Sequence, residues 1–192
     1  MSYKIKTQPA SEPVSLADAK LHLRVDDTTE DTLITSIIVA ARQFTEKYLN
    51  RSLITQTWNL YLDALPSEIQ VMYGDIQSFT SVKYYDSDNA EQTLSDALYD
   101  EDLISNPARI TRTTDQTYPE VFVRTNAVNV EYIAGYGDAV NVPDSIKSAM
   151  LLIIGHLYEN RQNVIIGHAA VVLPKGAEYL LDQYRIFTYA NW

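Results

Sequence analysis

Three histidines, twenty-five carboxylates and no cysteine bound the chemistry open to this 192-residue chain. His22 and His156 fall within predicted helices, and His168 falls in a loop beside Gly167. None has a second histidine and a glutamate at the HExxH spacing of a zinc helix. Glu159, three residues after His156, allows one i,i+3 pair, but metal binding needs several converging ligands, so we read ordinary helix histidines. Asp86 with Asp88, and Asp100 to Asp102, resemble the start of a calcium loop. They lack the glycine at the sharp turn and the closing glutamate, and are expected to be solvated turn carboxylates. A glycosidase-type carboxylate pair is spatial and not sequential, so a small carboxylate-dependent hydrolase stays open as an alternative. No Gly-x-Ser-x-Gly elbow, Walker loop or GxGxxG run is present. Gly135-Tyr136-Gly137 has no lysine behind it and reads as a strand-ending turn that needs positive φ. We therefore assign no catalytic, cofactor-binding or metal residue, expect no cofactor, and expect that the chain is not an enzyme.

Charge narrows the partners. The net charge is −10, whereas a protein that grips nucleic acid needs clustered Lys and Arg. An acidic surface serves solubility, or lets DNA pass without sticking; composition fits both. The longest apolar run, from Ala149 to Ile154, is far too short to span a bilayer, so no membrane partner is expected. The first ten residues lack a signal-peptide core, and the absence of disulfides suits a cytoplasm. Fourteen tyrosines and an aromatic C-terminus (Phe187, Tyr189, Trp192) hint at contact surfaces, since aromatics are enriched where proteins meet. The terminal aromatics could pack on their own domain or dock into a neighbour.

Any such surface must be positioned by the elements, and these fall into three blocks. Ser15 with Asp18 forms a capping box for a first helix that ends near Val25. Thr29 is the expected N-cap of a second helix, whose apolar stripe runs Leu33, Ile34, Ile37, Ile38, Ala41, Phe44 and Tyr48. Arg42, Glu46 and Lys47 mark its expected wet side, and Asn50 its end. From Ile54 to Leu62 the period changes to two, the mark of a strand. Further strands are expected at 69–73, 81–85, 91–94, 108–112, 120–123 and 127–134, with residues 86–89 turning a hairpin. Val142-Pro143-Asp144 opens a third helix with Ile146, Ala149, Met150, Ile153, Leu157 and Tyr158 on its apolar face. Pro174 sits in the first turn of a last one. No repeat or linker interrupts the chain, so one α+β domain over 1–192 is expected. Helices at both ends (14–51 and 143–186) pack as a small bundle, a mainly antiparallel β insertion occupies 54–134, and residues 187–192 form a tail.

Several segments together carry a resemblance. Val14-Ser15-Leu16-Ala17-Asp18-Ala19-Lys20 leads to Leu23-Arg24-Val25-Asp26, then Glu30-Asp31 and Leu33. Ala40-Ala41-Arg42, Glu46, Arg51-Ser52-Leu53 and Gln56-Thr57-Trp58 follow. Ala134-Gly135-Tyr136-Gly137, Val142-Pro143, Ile146-Lys147 and His156-Leu157-Tyr158-Glu159-Asn160-Arg161 complete the series. In order and spacing this resembles the gp6-like head–tail connector family of tailed phages and prophages, especially its phiE125 gp8-like branch. Gln183 departs from the pattern, which leads one to expect proline before Tyr184-Arg185. The resemblance implies a structural subunit of the virion neck, assembled in the bacterial cytoplasm. It implies a homo-oligomeric ring of about twelve copies under the portal protein, with a tail or stopper protein docked below and DNA passing through the lumen unbound. It also implies a C-terminal portal-docking segment, which here falls on Tyr184, Arg185, Phe187, Tyr189 and Trp192. A stopper or tail terminator is the nearest alternative.

Overall fold

The Ser15 hydroxyl accepts the Asp18 amide at 3.1 Å and donates to the Asp18 carboxylate at 2.6 Å, and from that cap α1 runs Leu16–Leu23. It ends two residues before the expected Val25, where Arg24 turns left-handed at φ 57. The next helix, α2, spans Asp31–Leu49, so its N-cap is Glu30 and not Thr29. Glu30 has no cap bond of its own; its carboxylate instead receives the Tyr158 hydroxyl and, at 2.6 Å, Arg161. Asn50, left-handed at φ 54, stops the helix as expected. After the third helix, α3 (Asp144–Glu159), comes α4 (Lys175–Asp182), where Pro174 is the N-cap and not a first-turn residue.

The computed structural model describes residues 1–161 and 174–187, so the loop expected around Gly167 and His168 lies outside them. The chain divides into two compact units. Among the described residues, 11–54, 136–161 and 174–185 form a helical unit; 1–10, 55–135 and 186–187 form a β unit. In the helical unit one apolar cluster joins Ile34, Ile38, Ala41 and Leu49 of α2 to Ile146, Met150, Ile153 and Ile154 of α3 and Leu181 of α4. Leu157, expected on the apolar face of α3, is among the exposed residues, and Leu33 and Phe44 lie at the margin of the α2 stripe.

Arg42 and Glu46 overturn the expected wet side of α2: both are buried, and only Lys47 is exposed. Helical period alone assigns charges to water, but here the charges satisfy one another. Arg42 bonds Glu12 at 2.7 Å and Glu46 at 2.8 Å, while the second oxygen of Glu46 accepts the Leu53 amide at 2.9 Å. A buried charge persists when it is paired and hydrogen-bonded in this way.

In the β unit the strands are β1 (Ser2–Thr7), β2 (Gln56–Leu62), β3 (Glu68–Val71), β4 (Ile76–Tyr85), β5 (Glu91–Thr93), β6 (Tyr99–Asp102), β7 (Ala108–Arg112) and β8 (Val128–Ala134). They build a five-stranded sheet, β1-β2-β8-β4-β5, and a three-stranded one, β3-β7-β6, antiparallel throughout. Alternation gives the larger sheet one apolar face, where Trp58 lies opposite Tyr132 and Leu60 opposite Val130. Ile69, Val71 and Ile110 of the smaller sheet join the same core. The β4–β5 hairpin turns as expected, with Asp86 accepting the amides of Asp88 and Ala90 and Asn89 at φ 60.

Three strand expectations change. Residues 120–123 are not a strand: Phe122 donates one backbone bond to Tyr85 and no ladder follows. β1 and β6 lacked a sequence signal, and β6 takes Asp100, Glu101 and Asp102 out of the expected turn and into a ladder with β7. The class is α+β, with helices from both ends of the sequence flanking an inserted antiparallel region. Among the described residues no helix is long and apolar enough to cross a membrane.

Candidate functional site

The docking segment expected at the C-terminus begins where α4 ends. After Asp182 the Tyr184 amide bonds the Leu181 carbonyl at 2.9 Å, and the Arg185 amide bonds the Asp182 carbonyl at 3.3 Å, which tightens the last turn. Inside the helical unit α2 fixes this turn from the side. The Tyr48 hydroxyl donates to Asp182 at 2.6 Å, and the Arg51 side chain donates to the Tyr184 carbonyl at 2.5 Å. The Arg185 guanidinium lies 4.7 Å above the Tyr48 ring, a cation–π contact. Phe44 stacks on the same ring at 6.2 Å. The bond to the Asp182 carboxylate pushes the Tyr48 phenol above its ordinary pKa, with desolvation adding to it. Tyr184 and Arg185 are thus brought together on α2 by groups that hold carbonyl, carboxylate and ring at once.

Within the β unit the next residue, Ile186, is buried at 5% exposure. It lies against Gly74, where an added Cβ would stand 2.5 Å from the Ile186 Cδ1. Gly74 is flanked by two left-handed residues, Tyr73 at φ 63 and Asp75 at φ 61. A tyrosine in that region is uncommon; its ring is held by Trp58, stacked at 4.2 Å, and by Tyr3, edge-on at 5.6 Å. Burial pushes the Tyr3 phenol up to about 12. Phe187 follows, 60% exposed. Tyr189 and Trp192 lie outside the described residues.

Tyr48 and Arg51 were visible in the sequence only as a stripe residue and as part of a matched segment. Their role needed the position of Asp182 and Tyr184, more than a hundred residues on. Gly74 gave no signal beyond a turn, since what demands its small size is a residue far along the chain.

The groups considered for chemistry are dispersed. His22 is exposed, and the His156 ring lies 3.5 Å from the Asn160 amide. Among the described residues no three His, Asp or Glu converge as a metal would require. The turn glycines Gly135 and Gly137 both have positive φ, 127 and 103, as expected. Asp102 is clamped by Ser105 and Arg109, which hold its carboxyl well below the usual range. The Glu101 carboxyl is pushed up, first by desolvation and then by Asp96, whose own carboxylate receives the Tyr99 hydroxyl at 2.9 Å. An open groove of about 380 Å³ lies between α1 and α3, and a polar one of about 310 Å³ lies over Tyr61, Lys83 and Arg124.

Comparison with known proteins gives three kinds of result. A family model for the phage gp6-like head-tail connector protein matches residues 13–112, more than half of the chain. No curated protein sequence matches it. Among solved structures, a chain from the neck of an empty gene transfer agent particle, computed with C6 symmetry, has a TM-score of 0.80 at 20% identity. One from the virion of a native gene transfer agent particle has 0.81 at 20% identity, and one from the native neck, computed with C12 symmetry, 0.76 at 19%. Each alignment covers 100% of this chain and 99% of the other. At these identities the likeness is one of fold. With the family model spanning the capping box, the buried Arg42–Glu46 pair and most of the β unit, the chain belongs to the phage gp6-like head-tail connector family.

Proposed function

We propose that the chain is a head–tail connector (adaptor) subunit of a tailed phage or prophage. About twelve copies close a ring beneath the portal, extend the DNA channel and offer a docking surface to the tail or a stopper. The observation that carries this reading is the family match over residues 13–112, joined to a fold similar over its whole length to chains of particles whose necks were computed with C6 and C12 symmetry. The run of matched segments from Val14 to Arg161 supports the phiE125 gp8-like branch. The two units work as one connector subunit, structural and not enzymatic, built in the host cytoplasm and retained in the virion neck. Portal docking falls to Tyr184, Arg185 and Phe187, with Tyr189 and Trp192 beyond them. The fixed geometry around Arg185 and the exposure of Phe187 support that role.

Negative charge is concentrated in the β unit, which has thirteen carboxylates against six cations. A lumen lined by such a surface repels phosphates and lets DNA slide. The test is the mass of the purified protein in solution, alone and mixed with its cognate portal. A ring of about a dozen copies, or a monomer that joins only the portal, is the expected result. A monomer or dimer indifferent to the portal removes the reading.

A further inference from the structure

We draw no further inference here: the strongest candidate, the polar groove of about 310 Å³ on the β2–β8–β4 face of the larger sheet, carries nothing, because Lys83 in its wall is paired with Glu91, Arg124 is held by Asn89 and the Tyr85 ring, the Asn129 Oδ1 that lacks a partner is buried out of the groove's reach, and nothing in the structure shows what covers it.

Discussion

Glu46 satisfies two buried groups with one carboxylate, the Arg42 guanidinium and the Leu53 amide. Glu46→Ala should therefore cost about 3 kcal/mol, at the low end for breaking a buried pair because Glu12 still faces Arg42. Denaturant unfolding of the isolated protein would measure this, and a loss below about 0.5 kcal/mol would mean water replaces the carboxylate. The pair was illegible from sequence because helical period sorts residues by polarity, and a charge hidden by its partner looks like one facing water. Gly74 poses a different problem. Its φ lies outside the left-handed region, so alanine fits the backbone, but the new methyl meets Ile186. Gly74→Ala should cost about 1–3 kcal/mol by overpacking. Adding Ile186→Val, which removes the Cδ1 in the way, should recover most of that loss; a double variant no better than the single would place the strain elsewhere.

At the scale of elements, α1–α3 and the hairpin were readable because capping boxes, apolar stripes and Asx turns act locally. β1 and β6 were not. The Tyr-Asp-Glu-Asp run of β6 has little strand propensity, and its ladder exists because β7 offers the partner edge. Residues 120–123 erred the other way, as β-prone types that find one backbone bond and no neighbouring strand. The β6–β7 turn also gives a pH dependence with a defined sign. Hydrogen bonds from Ser105 and Arg109 hold the Asp102 carboxyl below its ordinary range, so the unfolded chain binds its proton first. Its stabilisation is then complete above about pH 4 and is lost as pH falls further. Glu30 behaves alike, through Tyr158 and then Arg161. Glu101 has the opposite sign: its carboxyl is raised, so its ionisation above about pH 4 opposes folding. Asp102→Asn should flatten the fall in Tm between about pH 4 and 2, and Glu101→Gln should raise Tm slightly at neutral pH. An Asp102→Asn profile parallel to wild type would remove that carboxylate from the acid response.

For the whole molecule, the order of matched segments made the family legible, because α1, α2, β2 and α3 each leave a local pattern at a fixed place. The contact surfaces were not legible: a docking tail and a folded-back tail have the same composition, and only burial tells them apart. Burial changes sharply between Ile186, at 5% exposure, and Phe187, at 60%. Ending the chain after Ile186 keeps the Gly74 contact, the Arg51 bond to Tyr184 and the Arg185–Tyr48 stack. It removes three aromatic side chains, Phe187, Tyr189 and Trp192, from the end of the chain. The truncated protein should keep its Tm within the small range typical of surface changes, about ±0.5 kcal/mol. It should also keep its ring mass while losing affinity for the portal, roughly tenfold or more if one aromatic is an anchor. Portal co-sedimentation beside thermal unfolding separates the outcomes. Unchanged attachment removes the docking role from the tail. A lower Tm assigns those aromatics to the fold, and a lost ring with an unchanged Tm assigns them to the contact between subunits.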